Sequence, residues 1–259
     1  MEDILQKIVL QKRKEVALLK ANYQNELLHT FSTLSRSTIS LKNALLQSAS
    51  GIIAEFKRKS PSKGWLNAHA EPLAVIPAYE QAGATALSVL TDSIFFGGHL
   101  QDIQKARQVT RLPILRKDFI LDEIQLLEAH VAGADAVLLI AACLQQKECR
   151  DLTRKAHALG LEVVLEIHEE VELDYLTSDI DVVGVNNRHL GSFHTDVSHS
   201  MRLAEKLPAN IVKISESGIS QPETVRLLRG KGFNGFLMGE HFMRTDLPGE
   251  ALHHFINQL

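Results

Sequence analysis

The sequence predicts an α/β fold: one closed barrel of eight parallel strands with their helices, preceded by a helical extension. Three observations carry this expectation. From residue 51 onward, eight short apolar runs alternate with amphipathic helical stretches, and no linker-like composition interrupts them. Several helical stretches finish with a glycine just beyond, as in Gln81-Ala82-Gly83, Val131-Ala132-Gly133 and Ala158-Leu159-Gly160, the left-handed stop that sends a chain into its next strand. The chain's 259 residues, 45% of them hydrophobic, suffice for one sizeable core. Eight units favour closure, because a closed sheet has no edge to protect. A doubly wound open sheet is the alternative by pattern alone. No Gly-x-Gly-x-x-Gly run follows the first strand, so a dinucleotide fold gains no support.

In chain order, residues 1–50 are expected to form a helical extension packed on the barrel mouth, and residues 51–259 the (β/α)8 TIM barrel, one domain in all. Met1 to Lys20 reads as an amphipathic helix, with Ile4, Ile8 and Ala17-Leu18-Leu19 near a 3.6-residue period. Ser40 to Ser48 reads as a second, shorter helix. The strands are expected at Ile52–Lys57, Ala86–Leu90, Ile114–Lys117, Ala136–Ile140, Glu162–Glu166, Val182–Asn186, Ile211–Ser215 and Phe236–Met238. Between them come helices at Leu73–Ala82, Leu100–Gln108, Glu123–Ala132, Gln146–Leu159, His168–Tyr175, His199–Lys206 and Pro222–Arg229, and a last one from Pro248 to the end.

Composition excludes several function classes. A net charge of -3 and a pI near 6.5 argue against a nucleic-acid or polybasic membrane surface, while leaving room for a local basic cleft. The two cysteines, Cys143 and Cys149, make neither a disulfide framework nor a zinc pattern and suit a reducing cytosol. Met1 to Lys20 is charged throughout and lacks the apolar core of a signal peptide, and no apolar run reaches the ~18 residues of a membrane span. A cytoplasmic protein without membrane or nucleic-acid partners is expected. Histidines are scattered and none stands at ligand spacing from a carboxylate, so neither metal nor cofactor is expected.

The chemistry gathers at strand ends. Side chains alternate faces along a strand, so Ile53, Glu55 and Lys57 share one face while Ile52, Ala54 and Phe56 can bury against helices. The carboxyl ends of barrel strands form the ligand-binding mouth. There the first strand brings Glu55 and Lys57, the third Lys117, the fifth Glu166, the sixth Asn186 and Arg188, and the seventh Glu216. Any one of these is most simply a solvated or paired strand-end charge. Charges ending most of the strands are harder to dismiss, and together they point to acid–base chemistry on an anionic substrate. Lys117 is a general-acid candidate whose pKa crowding by Lys57 or burial would lower, and an apolar surround would raise Glu166. His168 is the one histidine near this mouth and reads first as a helix-start residue. Ser217-Gly218 and Gly239-Glu240 follow strands seven and eight, where barrels commonly bind phosphate. Glycines there permit close backbone approach. Arg58 to Glu71 is long enough for a lid, and Phe96 and Phe119 offer an aromatic wall.

Several of these stretches resemble the indole-3-glycerol-phosphate synthase family: Glu55-Phe56-Lys57-Arg58-Lys59-Ser60-Pro61-Ser62-Lys63-Gly64, Phe95-Phe96-Gly97-Gly98, Leu115-Arg116-Lys117-Asp118-Phe119-Ile120, the run from Gly133 to Ile140, Gly184-Val185-Asn186-Asn187-Arg188 and Ser215-Glu216-Ser217-Gly218-Ile219. The resemblance runs in order from about residue 50 to residue 245. It implies a cofactor-free carboxy-lyase of tryptophan biosynthesis, converting 1-(2-carboxyphenylamino)-1-deoxyribulose 5-phosphate to indole-3-glycerol phosphate, carbon dioxide and water. By motif position Lys117 is the general acid of ring closure and Glu166 the base of the dehydration. Lys57 pairs with the substrate carboxylate and supplies a proton as water leaves. Glu55 and Asn186 hold these groups, and Glu216 is a further mouth carboxylate. Ser60 and Arg188 fall on the carboxylate side, Phe96, Phe119 and Leu138 on the ring wall, and Ser217, Gly218, Gly239 and Glu240 on the phosphate. Position 240 is Glu where several family members carry Ser, so its side chain is expected to point away. The extension has no Trp, which leaves Tyr23, Phe31 or Trp65 to cover the aromatic ring. A monomer is expected, with a homodimer or contacts to pathway enzymes as alternatives. A phosphate-binding isomerase and a non-catalytic ligand sensor are rival readings; the first does not need two lysines, and the second need not keep Lys117 or Glu166.

Overall fold

A computed structural model describes residues 4–33, 36–188 and 195–259; the first three residues of the expected N-terminal helix lie outside them. The chain opens with α1 (Ile4–Thr33) and α2 (Leu41–Gln47) and enters the barrel at β1 (Ile52–Phe56). A two-stranded antiparallel hairpin, β2 (Lys59–Ser60) and β3 (Gly64–Trp65), fills the loop that follows. Then come α3 (Pro72–Gln81), β4 (Ala86–Leu90), α4 (Ser93–Phe96), α5 (Leu100–Val109), β5 (Ile114–Lys117), α6 (Glu123–Ala132), β6 (Ala136–Ile140), α7 (Gln146–Ala158) and β7 (Glu162–Ile167). The chain ends with β8 (Val182–Asn186), α8 (Ser198–Ala204), β9 (Val212–Glu216), α9 (Pro222–Gly230), β10 (Gly235–Met238), α10 (Glu240–Met243) and α11 (Pro248–Ile256).

Strands β1, β10, β9, β8, β7, β6, β5 and β4 close in that order, every pair parallel. The closed eight-strand barrel expected from the sequence is the fold found. Alternation splits the core in two. Ile53, Leu115, Leu138, Val164, Val182, Ile214 and Leu237 fill the barrel interior. Ile52, Ala54, Phe56, Val137, Leu139, Val163 and Leu165 face the helices. Each Val, Leu, Ile or Phe among them contributes about 1.5–3 kcal/mol when fully buried, and shifting a strand by one residue would swap its barrel-facing set with its helix-facing set.

Local signals account for the helices. Asp122 caps α6, its carboxylate accepting from the Ile124 amide at 3.0 Å, and Gly133 ends that helix at φ 104°. The expected helix at His168–Tyr175 is instead a 3-10 segment, Glu170–Tyr175. Glu172 folds back to accept from the amides of His168 and Glu169, which holds its first turn tight. Residues 21–33 contain neither Gly nor Pro, and α1 runs on past the expected Lys20 to Thr33.

The extension engages both ends of the barrel. Helix α1 packs along α6 with Leu5, Ile8 and Lys12 buried. Helix α2 sits under the opposite end. Leu41 and Leu45 join the interior cluster, and Ser40 Oγ and the Lys42 amide donate to Glu162, the first residue of β7, at 2.5 and 2.8 Å. Only α1 therefore reaches the mouth, where the sequence reading had the whole extension. The physical reason is volume: a barrel needs its bottom layer filled, and α2 supplies two leucines. Asp135, fully buried, staples the connection between the helices by accepting from the Ile39 amide at 3.0 Å and from Arg36.

Candidate active site

The inward-facing residues at the strand ends meet at the floor of a cavity of about 480 Å³. Lys117 closes β5 and is its centre. Its Nζ lies 2.8 Å from Glu166 Oε2 and 3.3 Å from Glu216 Oε2. Asn186 Nδ2 donates to the other Glu166 oxygen at 3.2 Å. Across the floor, Lys57 Nζ is 2.5 Å from Glu55 Oε1. Thus all six residues expected to be catalytic line one cavity, and the two lysines are ion-paired with different carboxylates.

Two glycines make room for this cluster. A Cβ on Gly184 of β8 would stand 2.2 Å from Glu216 Oε1, and one on Gly239 would stand 2.5 Å from Glu55 Oε1. Neither position admits a larger residue without moving a carboxylate.

Burial by itself lowers the Lys117 ammonium, but Glu166, Glu216 and Glu55 outweigh it and hold the group above its ordinary value. Burial raises Glu166, yet Lys117 and His168 reverse the effect and keep it below the usual carboxylate range. Both directions are opposite to those expected from the sequence. Strand ends reveal which charges assemble, while the sign of a shift depends on the nearest partner, and each group found an opposite charge rather than a like one or an apolar wall. Glu216 is the exception. It is buried, neither carboxylate oxygen makes a hydrogen bond among the described residues, and burial pushes it up to about 8.

The walls are apolar. Phe96 and Phe119 face the cavity with ring centroids 6.2 Å apart, and Leu138 lies below them. Tyr23 is exposed, Phe31 packs edge-on against His130, and Trp65 lies over Gly97 outside the cavity. None of the three aromatic candidates lines it. Aliphatic Ile4, Leu5 and Ile8 of α1 do so instead. The signal was present in the apolar stripe of the first helix, but nothing in the sequence tied that stripe to the mouth.

At the rim, Ser217 and Gly218 adopt consecutive left-handed conformations, φ 68° and 75°. Ser217 is the only non-glycine residue with positive φ among those described, a strained backbone of the kind that clusters at ligand sites. Gly239 and Glu240 lie beside them on the cavity wall. The Glu240 side chain does not point away from the site: it lies 2.9 Å from Arg244 and 3.6 Å from Arg188. The two arginines supply opposite charge on the cavity side. Arg188 also donates to Ser62 Oγ at 2.8 Å, and buried Ser60 lines the cavity.

One part of the mouth was missed by sequence reasoning. Lys12 of α1 places Nζ 2.9 Å from Asp118, 3.1 Å from Asp92 and 2.7 Å from Glu15, with Lys12 itself buried. Asp118 directly follows Lys117 and also accepts from Thr91 at 2.6 Å and Arg116 at 3.1 Å. This network ties the N-terminal helix to two loops of the mouth. Pairings between residues so distant in the chain leave no local pattern.

A family model described as indole-3-glycerol phosphate synthase matches residues 5–255. An indole-3-glycerol phosphate synthase of Bacteroides thetaiotaomicron is 54% identical over 259 residues, all of both chains. One from Koribacter versatilis is 44% identical over 211 residues, 81% of each chain, and one from Burkholderia ambifaria is 41% identical over 257 residues, 97% of this chain and 98% of that one. Among solved structures, a chain of the tryptophan synthase a2b2 complex of Pyrococcus furiosus superposes with a TM-score of 0.61 at 15% identity, covering 81% of this chain and 97% of that one. KGPDC from Streptococcus mutans gives a TM-score of 0.59 at 13% identity, covering 80% and 95%. At such identities these structures share the fold alone.

Proposed function

The chain belongs to the indole-3-glycerol phosphate synthase family, carboxy-lyases of tryptophan biosynthesis, and from that premise we propose how its own residues carry the reaction. The observation that carries the proposal is the Lys117–Glu166 pair, 2.8 Å apart on a charged floor beneath apolar walls.

The substrate is 1-(2-carboxyphenylamino)-1-deoxyribulose 5-phosphate. The aromatic carbon bearing the carboxylate attacks the ketone carbon, a poor nucleophile meeting a weak electrophile. Lys117 protonates the ketone oxygen as that bond forms. Carbon dioxide then departs, and its bonding electron pair restores the aromatic ring. Loss of the new hydroxyl as water requires a proton from Lys57, while Glu166 removes the C–H proton as the ring double bond forms. Two protons are given and one is taken. Each turnover therefore consumes one proton from solvent, which matches the conversion of a carboxylate into neutral carbon dioxide. Glu166 returns its proton to Lys117 across their short contact, so the pair resets itself, and Lys57 is recharged at the mouth.

Arg188, Ser60 and Lys57 receive the substrate carboxylate. Glu55 holds Lys57, Asn186 holds Glu166, and Glu216 stands by in its neutral form. Phe96, Phe119 and Leu138, together with the aliphatic side chains of α1, enclose the ring. The amides at Ser217, Gly218, Gly239 and Glu240 take the phosphate. In this reading the protein is a monomer in which residues 1–50 and 51–259 act as one domain. No helix among the described residues is long and apolar enough to cross a membrane. A composition with two cysteines supports the cytoplasm.

The test is steady-state kinetics with that substrate, following the indole fluorescence of the product. Lys117→Ala should lower kcat and kcat/KM together by about 10²–10⁴, as expected for a lost general acid. Lys57→Ala should raise KM as well as lower kcat, because Lys57 also binds the ground state. A Lys117→Ala enzyme with near-normal kcat and weakened binding refutes the assignment.

A further inference from the structure

His168 lies directly behind the proposed base and has no part in the mechanism above. It follows β7 by one residue and is 7% exposed. Its Nε2 lies 3.2 Å from Glu166 Oε1, the oxygen that also accepts from Asn186. Its Nδ1 lies 4.0 Å from Glu172 Oε2. The Glu166 contact is close enough for an ion pair but off the line of a hydrogen bond, and neither ring nitrogen has a hydrogen-bond partner among the described residues. Leaving a buried polar group in that state is unfavourable. The site tolerates this beside the Glu166 carboxylate.

The placement is also asymmetric. Glu166 lines the substrate cavity, whereas His168 lines a second cavity that adjoins it, the two sharing Asn186 and Arg188. The groups facing it are Glu166 on its own strand and Glu172 on the following 3-10 segment. Around the second cavity stand Glu169, Glu170 and Asp196 against Arg188, Arg202 and Lys206, with His199. Those more distant charges are of both signs and do not replace a neighbour at 3.2 Å.

We propose that His168 is a positioning residue for the base: from outside the substrate cavity it fixes Glu166 Oε1, leaving Oε2 for Lys117, and it favours the ionised carboxylate needed at the start of proton abstraction. The inference rests on the reading of Glu166 as the base. An ion-pairing or donating side chain at 168 lowers the carboxylate's affinity for protons, so its loss makes Glu166 hold a proton up to higher pH. The acid limb of kcat then moves upward.

The experiment measures kcat and KM across pH for His168→Leu, His168→Gln and Glu166→Gln, with the same substrate throughout. His168→Leu should lose about 10–10²-fold in kcat with KM within about threefold, and its acid limb should shift to higher pH, the pattern of a transition-state effect. His168→Gln, whose amide reaches the same carboxylate, should recover most of the rate. Should the leucine variant not fold, His168→Asn, polar but too short to reach, takes its place and should show the same loss. An unchanged kcat and limb, or equal impairment in the reaching and non-reaching variants, overturns the positioning role. An active Glu166→Gln would instead overturn the base assignment. A dead Glu166→Gln beside a normal His168→Leu sinks only the present inference.

Discussion

Replacing Lys12 by methionine keeps the aliphatic stem and removes one buried charge from among three carboxylates. Breaking a buried ion pair by deleting one partner costs about 3–5 kcal/mol. The geometry puts this case at the lower end. Asp118 keeps Arg116 and Thr91. Asp92, fully buried, keeps only the Phe95 amide at 2.8 Å. A loss of about 3 kcal/mol corresponds to a fall in Tm of roughly 6–12 °C for a chain of this size. The pH dependence follows from Asp92. Burial raises its carboxyl above the ordinary value, and Lys12 is the main counterweight. Without Lys12 it rises further. An acid whose pKa is raised by folding carries no penalty below its unfolded value and a growing one as pH climbs. The deficit of the variant should therefore be largest at neutral pH and shrink toward about pH 4. Thermal unfolding of wild type, Lys12→Met and Lys12→Met/Asp92→Asn at both pH values is the assay. The double variant, with a neutral group that still caps α4, should regain at least half of the loss. A deficit below about 1 kcal/mol, the range of ordinary surface changes, would refute the reasoning, as would one unchanged with pH or unrelieved by Asp92→Asn.

Two further outcomes are expected. Glu216 is pushed up to about 8, so it is neutral below that pH and ionised above it; once ionised it holds the Lys117 proton more tightly, and kcat should fall on the basic side with a limb near 8, a limb absent from Glu216→Gln, as a pH–rate profile will reveal. Inorganic phosphate or sulfate should inhibit competitively and raise Tm, and Gly218→Val should weaken substrate binding, because φ is 75° there and a Cβ would stand 2.3 Å from Thr195 Cγ2; inhibition kinetics and thermal shifts check both, and anions that do neither remove the phosphate assignment.

How much was legible in the chain depends on the range of the forces involved. The strands were legible because alternation is local: Glu55, Lys117, Glu166 and Asn186 each share parity with an interior apolar residue, and all four reach the cavity. Helix ends were legible where a glycine marks them, as at Gly133. The plugging of the barrel floor by Leu41 and Leu45 and the Lys12 network depend on partners far along the chain. The signs of the Lys117 and Glu166 shifts depend on contacts of about 3 Å. A pattern of residue types specifies which charges meet, and only the packed structure decides which oxygen faces which nitrogen.

The two glycines beneath the carboxylates bear on protein engineering. Anyone moving this lysine–carboxylate set onto another eight-stranded barrel would copy the charged residues and leave the recipient's own side chains in place at the positions of Gly184 and Gly239. Even an alanine would then compete with Glu216 or Glu55 for the same volume. The transplanted acids would turn toward water and lose their contacts with the lysines, and the graft would bind without turning over. A workable design copies the empty volume along with the functional groups.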